Sequence, residues 1–191
     1  MLELKLKRKS EISQSQWLGY WKGYYDSGEM QEYYEMIREA SWAHELKVLK
    51  AREELGECSH YGLRSIAYVL LKDDKIIGNG SIFLNIEVVP DEEGPNHIGL
   101  GISPLYRGQG YGTHMFHLMV KECSKLGFSE LIIVCDDKNT ESARMIEKNS
   151  GKLKDKFICN GSNPVRAGRL HRMYTIDVDE SLKKYQQKVG K

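Results

Sequence analysis

The sequence has few of the features that mark secreted, membrane or disulfide-bonded proteins. Its four cysteines are widely spaced and form no CxxC pair, so the spacing does not suggest a disulfide framework. The apolar runs are only a few residues long, far too short to cross a bilayer, and the N-terminus carries no apolar signal segment. We therefore expect reduced thiols in a cytoplasmic protein that has no membrane partner.

The charge balance also argues against nucleic acid as a partner. Twenty-eight basic and 27 acidic side chains leave a formal net charge of +1, so no overall field draws the chain to nucleic acid. An anion would have to be bound by a local feature. The 191 residues suit one well-buried core better than two domains. An apolar content of 40% with 29% charged residues is ordinary for a globular protein.

Hydrophobic periodicity predicts a chain of mixed strands and helices. Alternating or short apolar runs predict strands at 2–7, 65–71, 75–84, 98–102, 131–135, 152–159 and 169–178. Helical spacing predicts helices at 12–25, 29–55, 111–126 and 141–148, the last capped by Asn139 or Thr140, with a frayed helix in the lysine-rich tail from residue 179. Residues 72–74 have the turn chemistry of a hairpin, and the polar stretch 85–96 is predicted to be a loop.

A glycine-rich loop lies between a predicted strand and a predicted helix, within HIGLGISPLYRGQGYGT at residues 97–113. Gly108, Gly110 and Gly112 let the chain turn tightly, with successive amide N–H groups directed inward. Unpaired amides and the positive end of a helix dipole together hold phosphate oxygens. Arg107 adds a fixed positive charge at the rim. The loop is therefore a candidate anion site.

Two well-known phosphate motifs do not fit this loop. A dinucleotide fold requires GxGxxG, and the frames that start at Gly108 or Gly110 lack the third glycine. A P-loop requires Gly-Lys followed by Ser or Thr, which the sequence does not contain. The plain alternative is a glycine-rich turn that only connects a strand to a helix.

What remains is R-x-x-G-x-G at residues 107–112, behind a strand that ends I-x-P at residues 102–104. This pattern resembles the cofactor motif of the GNAT acyltransferase superfamily, whose loop holds the pyrophosphate of coenzyme A. The stretch NTESARMIEKNSG at 139–151 is similar to the superfamily's region after the fifth strand. The phrasing looks most like a bacterial branch of poorly characterised acetyltransferases. The resemblance covers roughly residues 65–177.

The resemblance implies an α/β (α+β) fold with a mixed, mostly antiparallel sheet, a central parallel β-α-β unit and flanking helices. The fourth and fifth strands are expected to splay apart. We expect a single domain over residues 1–191. Its parts would be an N-terminal strand with two helices at 1–64, a cofactor-binding core at 65–177 and a C-terminal tail at 178–191.

The resemblance also implies acetyl-CoA as the cofactor. It assigns the cofactor-binding residues as Ile102, Arg107, Gly108, Gln109, Gly110, Tyr111, Gly112, Thr113, Asn139 and Ser142. The last two have plainer alternatives, a helix cap for Asn139 and a small packing residue for Ser142. Between splayed strands, unpaired N–H and C=O groups would grip the pantetheine arm as another strand would. One of these amides would also stabilise the charge that develops on the acyl oxygen.

Acyl transfer to an amine needs a base, because an amine is mostly protonated near neutral pH. Glu87 and His97 are the candidates, since both fall where the third and fourth strands border the predicted acceptor side. The structural alternatives are a solvent-facing Glu87 and a His97 that only starts its strand. Many GNAT enzymes use a tyrosine to protonate the leaving thiolate, and Ile146 stands at that position. Tyr174 or water would have to substitute.

These features predict an acetyl-CoA-dependent N-acetyltransferase that acts on a primary amine of a small molecule or peptide in a ternary complex. Tyr24, Tyr25 and Tyr33 are the first candidates to touch the acceptor, although core packing also explains such aromatic residues. The rival interpretation is a module that binds or senses acyl-CoA without turnover, and a weaker one is another nucleotide in the glycine loop. A homodimer is expected from family habit alone.

Two histidines raise the question of a metal site. His114 and His117 are three residues apart on a predicted helix and would share a face. No cysteine or carboxylate stands at a matching interval, so we predict solvated histidines and no metal.

Overall fold

Two antiparallel sheets and six helices make up the part of the chain that the computed structural model describes, which is residues 4–54, 56, 62–89, 94–161 and 166–189. The strands are β1 (Leu4–Arg8), β2 (Ser65–Lys72), β3 (Lys75–Phe83), β4 (Ile98–Ile102), β5 (Glu130–Asp136), β6 (Lys152–Ile158) and β7 (Leu170–Asp177). The helices are α1 (Gln14–Asp26), α2 (Gln31–Glu39), α3 (Trp42–Glu54), α4 (Tyr111–Lys125), α5 (Thr140–Lys148) and α6 (Val178–Val189).

The first sheet has the strand order β1-β2-β3-β4, and all its pairs are antiparallel. The turn between β2 and β3 lies at Asp73 and Asp74, whose φ angles are 48° and 61°. Two successive positive φ angles are what a type I′ hairpin turn requires, and Asp tolerates them better than most residues. The predicted hairpin is confirmed.

The second sheet has the order β5-β7-β6, again antiparallel. The edge of β4 lies towards β5, but no ladder of backbone hydrogen bonds joins these strands in the described part of the chain. In the described part of the chain, β4 and β5 are joined at one end, by His97 and Ile132, and do not form a parallel pair. This is the predicted splay of the fourth and fifth strands.

The core is divided between the two faces of the first sheet. Successive side chains of a strand point to opposite faces, so Leu70 packs with helix α4 while Val69 and Leu71 pack under helix α1. The α4 side is the larger core and is continuous with the second sheet. Its fully buried members include Ile77, Ile82, Met115, Met119, Leu131, Ile146 and Ile176. Helix α4 thus lies against both sheets, with its N-terminus held at the end of β4.

The helix predicted at 29–55 is wrong in one respect, because the chain breaks between α2 and α3. Ala40 has an extended backbone, with φ −71° and ψ 148°, and the Ser41 hydroxyl accepts a hydrogen bond from the His44 N–H at 3.3 Å. Serine favours such a cap because its side chain satisfies an amide that has no partner within the helix. Hydrophobic periodicity alone did not reveal this new start.

The C-terminal tail forms a packed helix rather than a frayed one. Asp177 Oδ1 accepts from the Glu180 N–H at 2.8 Å at the start of α6, and Ser181 donates to the Asn149 carbonyl oxygen at 2.9 Å. No helix in the described ranges has the length and apolar character to cross a membrane. Cys123, Cys135 and Cys159 are free and buried. Cys58, Leu2, Leu55 and parts of the predicted loop at 85–96 lie outside the described residues.

His114 and His117, which were predicted to be solvated, contact helix α6 instead. The His117 ring stacks on the Tyr185 ring, with centroids 3.4 Å apart and planes at 7°. His114 Nδ1 lies 2.6 Å from Tyr185 Oη. Burial lowers the pKa of His117 to about 4, and the positive charges of His114 and Lys121 act in the same direction. A neutral His117 therefore belongs to the contact between α4 and α6.

We predict that the protein loses stability as the pH falls from about 6.5 to about 4. In this window the unfolded chain binds a proton at His117 that the folded chain does not, so the free energy of unfolding decreases as the pH falls. His117→Phe keeps a ring against Tyr185 and removes the titrating group. Urea unfolding at about pH 7 and about pH 5 should show a smaller loss in the variant than in the parent. An equal loss in both proteins would contradict this assignment.

Candidate active site

The glycine loop presents a row of open backbone amides. Gly108 and Gly110 have φ angles of +74° and +84°, in the region where a side chain is strained. The first helical hydrogen bond of α4 runs from His114 N to Gly110 O at 3.1 Å. Within the described chain, the amides of residues 108–113 have no hydrogen-bond partner. They lie at the positive end of the α4 dipole, as an anion site requires.

The space beside two of the loop glycines is open. A Cβ atom added at Gly108 or Gly110 would meet nothing within 4 Å. Gly112 faces the other way, because a Cβ there would lie 3.5 Å from Met145 Sδ and 3.6 Å from Ile102 Cγ1. Gly112 therefore lets α4 pack closely against α5 and β4. The residues present fit a pyrophosphate held by backbone N–H groups.

The side chains around the loop are held by neighbouring elements. Gln109 Nε2 donates to the Leu105 carbonyl oxygen at 3.2 Å. Tyr111 Oη accepts from Lys72 Nζ at 2.6 Å, and the Thr113 carbonyl oxygen accepts from Asn149 Nδ2 at 3.3 Å. These contacts hold the loop through groups other than its backbone N–H groups.

Strand β4 keeps one edge free. Phe83 N donates to His97 O at 2.8 Å and Ser103 N donates to Ile77 O at 2.9 Å, so the odd-numbered residues of this segment face β3. Because the direction of backbone groups alternates along a strand, Ile98, Leu100 and Ile102 present their N–H and C=O groups at the opposite edge. This free edge is where a pantetheine arm could pair with the backbone.

Two side chains hold β4 and β5 together at one end of the gap. His97 N donates to Ile132 O at 2.9 Å, and Ile132 N donates to His97 Nδ1 at 2.8 Å. Val134 N, which faces the gap, donates to Asn96 Oδ1 at 3.2 Å. The imidazole and the amide thus replace the carbonyls of a paired strand. Sequence reasoning missed Asn96, since nothing local distinguishes it from the rest of its polar loop.

The two predicted bases differ in their surroundings. His97 is buried, its burial lowers its pKa, and its Nδ1 already accepts the Ile132 N–H. This geometry favours a neutral ring with its proton on Nε2, which leaves no lone pair free. Glu87 is exposed in a short turn at Ile86–Val88. Its charge opposes the lowering of the His97 pKa.

The residues of helix α5 have largely structural contacts. Asn139 Oδ1 accepts from the Ser142 N–H at 3.0 Å and caps the helix, so both residues lie at the helix start as predicted. Ile146 is 1% exposed and packs in the main core. Tyr174 is equally buried, and its hydroxyl donates to Glu147 Oε1 at 3.1 Å. Burial raises the Tyr174 pKa.

The Arg107 side chain is bound by the protein. Its two terminal nitrogens donate to the two Glu29 carboxylate oxygens at 2.9 Å each, and its Nε donates to the Ile102 carbonyl oxygen at 3.1 Å. The positive charge expected at the rim of the loop is thus paired. Sequence reasoning missed Glu29, which is far from Arg107 in the chain.

Helix α1 places two tyrosines on the end of β4. Tyr24 Oη donates to Ile102 O at 3.1 Å, and Tyr20 Oη donates to Gly101 O at 3.3 Å. Tyr20 is buried, so its pKa is raised. Of the tyrosines predicted to touch the acceptor, Tyr24 therefore reaches β4, whereas the Tyr33 ring packs on the Trp21 ring with centroids 4.5 Å apart.

A glycine loop that opens a helix beside a free strand edge is the arrangement that a phosphate-containing cofactor bound through the backbone would require. The sequence matches the family model of the acetyltransferase (GNAT) domain over residues 9–152. The chain therefore belongs to the GNAT acetyltransferase family, whose cofactor is acetyl-CoA. The family and the cofactor predicted from the sequence are confirmed at this level. No curated protein matches the sequence.

Solved acetyltransferases share the fold. RimL, a ribosomal L7/L12 alpha-N-protein acetyltransferase in complex with coenzyme A, has a TM-score of 0.62 at 14% identity, over 92% of this chain and 94% of that one. The ribosomal-protein-S5-alanine acetyltransferase from Vibrio fischeri has a TM-score of 0.60 at 16% identity, over 94% and 96%. The protein yncA from Salmonella typhimurium, with its cofactor acetyl-CoA, has a TM-score of 0.58 at 11% identity, over 93% and 95%. The predicted fold class is confirmed.

We predict that Gly110→Val abolishes acetyl-CoA binding, because the new side chain would occupy the space above the amides. Gly127→Val is the matched control, because Gly127 lies just after the other end of α4 and has φ +89°. A Cβ atom added at Gly127 would also meet nothing within 4 Å. Both variants should lose about 1–2 kcal/mol of stability from the strained backbone.

The measurement is thermal and chemical unfolding with and without acetyl-CoA. At about one hundred times its dissociation constant, a ligand that binds only the folded state adds about 2.7 kcal/mol. The parent and Gly127→Val should show this gain, and Gly110→Val should show none. Equal stabilisation of both variants would place the cofactor elsewhere.

Proposed function

We propose that the protein transfers an acetyl group from acetyl-CoA to a primary amine of a small molecule or peptide, by direct attack in a ternary complex. The observation that carries the proposal is the row of open amides at residues 108–113 beside the free edge of β4. Acetyl-CoA, when bound, supplies a thioester carbonyl that an amine can attack. The protein supplies binding, alignment and removal of a proton.

Binding and alignment would use the main chain. The open amides of the glycine loop would hold the pyrophosphate, with Asn139 and Ser142 at the start of α5 near the arm. The N–H and C=O groups of Ile98 and Leu100 on the free edge would pair with the pantetheine amides. An N–H on this edge would also stabilise negative charge on the acyl oxygen. Holding both reactants in place accounts for much of the rate expected of such an enzyme.

The proton of the attacking amine would pass to Glu87, directly or through water. Its exposed carboxylate can exchange protons with solvent, whereas Nδ1 of His97 is bound to the Ile132 amide. We therefore assign His97 a positioning role, as the residue that joins β4 to β5. The leaving thiolate has a much lower proton affinity than an amine, so Ile146 at the usual tyrosine position does not prevent the reaction.

Two of the solved relatives in fold are named for protein acceptors, L7/L12 and the alanine of S5. Peptides with a free N-terminal amine are therefore the first acceptors to test, followed by small amines. The second candidate function is a module that binds acyl-CoA without turnover, favoured by the buried Ile146 at the position of the usual acid. A homodimer, a single domain and a cytoplasmic location remain predictions from the sequence.

The proposal predicts thiol release from acetyl-CoA that depends on an amine. The protein is incubated with saturating acetyl-CoA and a panel of N-terminal peptides and small amines, and free coenzyme A is measured. At least one amine should raise the release above the rate without acceptor. Stabilisation by acetyl-CoA with no release for any amine would favour the binding module. Stabilisation by ATP but not by acetyl-CoA would favour another nucleotide in the loop.

We predict that Glu87→Gln lowers kcat by about 10²-fold or more, the range for loss of a positioned base. Its stabilisation by acetyl-CoA should be unchanged, because the glycine loop is intact. Glu130→Gln is the control, since Glu130 is also exposed and its charge also acts on His97. Turnover should be close to the parent in Glu130→Gln. Similar rates in the two variants would remove Glu87 from the mechanism.

A further inference from the structure

A bidentate ion pair joins the turn before α2 to the start of the glycine loop. The Arg107 guanidinium binds both Glu29 carboxylate oxygens and the Ile102 carbonyl oxygen. Its Cζ lies 5.4 Å from the centre of the Tyr24 ring, and the Tyr24 hydroxyl donates to the same Ile102 oxygen. We call these four residues, Tyr24, Glu29, Ile102 and Arg107, the Glu29–Arg107 latch.

The turn that carries Glu29 has a strained backbone. Gly28 has φ +80° and Met30 has φ +52°, and the Glu29 N–H donates to the Tyr24 carbonyl oxygen at 2.9 Å. A non-glycine residue in the left-handed region is strained, and the surrounding structure must maintain it. The residue next to Glu29 is thus held in a conformation that few side chains adopt.

The strength of the ion pair does not account for this arrangement. Glu29 and Arg107 are 44% and 48% exposed, and exposed ion pairs contribute little to stability. The ion pair instead fixes geometry. The planar Arg107 guanidinium makes three hydrogen bonds and so sets the distance between the Glu29 carboxylate and the Ile102 carbonyl oxygen. Ile102 is also the last residue of the free edge of β4, and Arg107 immediately precedes Gly108.

We propose that Glu29 is a positioning residue that acts through Arg107. The latch holds the α1–α2 turn at a fixed place relative to the end of β4 and the glycine loop, so that ordering of the loop by the cofactor also orders the turn. Since α1 and α2 on either side of this turn carry the tyrosines predicted to meet the acceptor, the latch aligns the amine with the bound cofactor. The proposal rests on the proposed function, because it assumes that the loop binds acetyl-CoA.

Hydrogen exchange tests the coupling without any need for turnover. The peptide that spans residues 24–31 contains the bonded amides of Ser27, Gly28 and Glu29. In the parent, saturating acetyl-CoA should slow exchange in the glycine loop and, by about fivefold or more, in this peptide. In Glu29→Gln the loop should still be protected and the peptide should not respond.

Steady-state kinetics test the alignment. Glu29→Gln should lower kcat by about 10-fold to 10²-fold, the cost of a small misplacement of reactants, while stabilisation by acetyl-CoA is retained. Asp26→Asn is the matched control, because Asp26 lies at the end of α1 and pairs with Lys22 on its own helix at 2.7 Å. It should behave like the parent in both experiments. The double variant of Glu29→Gln with Arg107→Lys should be no slower than Arg107→Lys alone.

The outcomes separate the latch from the proposed function. A parent that binds acetyl-CoA but releases no thiol contradicts the enzyme assignment, and the exchange experiment still decides the latch. Glu29→Gln indistinguishable from Asp26→Asn overturns the latch. So does a loss that lies wholly in acetyl-CoA affinity, or losses from Glu29 and Arg107 that multiply in the double variant. A parent that does not bind acetyl-CoA overturns both proposals.

Discussion

Backbone groups without partners are the constraint on which the site depends. A backbone N–H or C=O group without a partner is costly when it is buried, whereas the loop at Gly108–Gly110 is exposed, so its open amides are accessible to a ligand. Here two sets of such groups, the free edge of β4 and the amides at residues 108–113, are separated by a short turn whose own amides at Ser103, Tyr106 and Arg107 are bonded. Helix α4 must begin where it does to expose those amides, and β4 must stay apart from β5 to expose the edge. The other elements of the fold keep the loop amides and the strand edge open.

Side chains close the free edge of β4 at both ends and leave its middle open. At the first end, His97 and Asn96 bind the backbone of β5 in place of a paired strand. At the other end, Tyr24 and Arg107 take the Ile102 carbonyl oxygen. The open stretch is thereby limited to the N–H groups of Ile98, Leu100 and Ile102 and the carbonyls of Ile98 and Leu100. An edge of this length can pair with a short arm, whereas a longer one would invite strand addition.

The parts of this arrangement that depend on local sequence could be predicted. Glycines at 108 and 110 are needed for positive φ angles, and the Asp pair at 73 and 74 suits its turn, so both features were visible in the residues themselves. The partners of Arg107 and Val134 were not visible. Glu29 and Asn96 are ordinary polar residues in their own segments, and only tertiary packing brings them to the site. The break at Ser41 was missed because a single cap outweighed a continuous periodic pattern.

The proposed mechanism, in which the main chain binds and aligns the reactants, is compatible with Ile146 at the position where the family resemblance leads us to expect a tyrosine. Ile146 packs in the main core with Ala143, Cys135 and Tyr174, where a second phenol would bury another hydroxyl that needs a partner. Tyr174 already uses the nearby Glu147 carboxylate. A site that relied on a side-chain acid here could not exchange it for an alkyl group. A site in which the main chain binds and aligns, and in which a thiolate departs without prior protonation, can accept that exchange and gain a better packed helix α5.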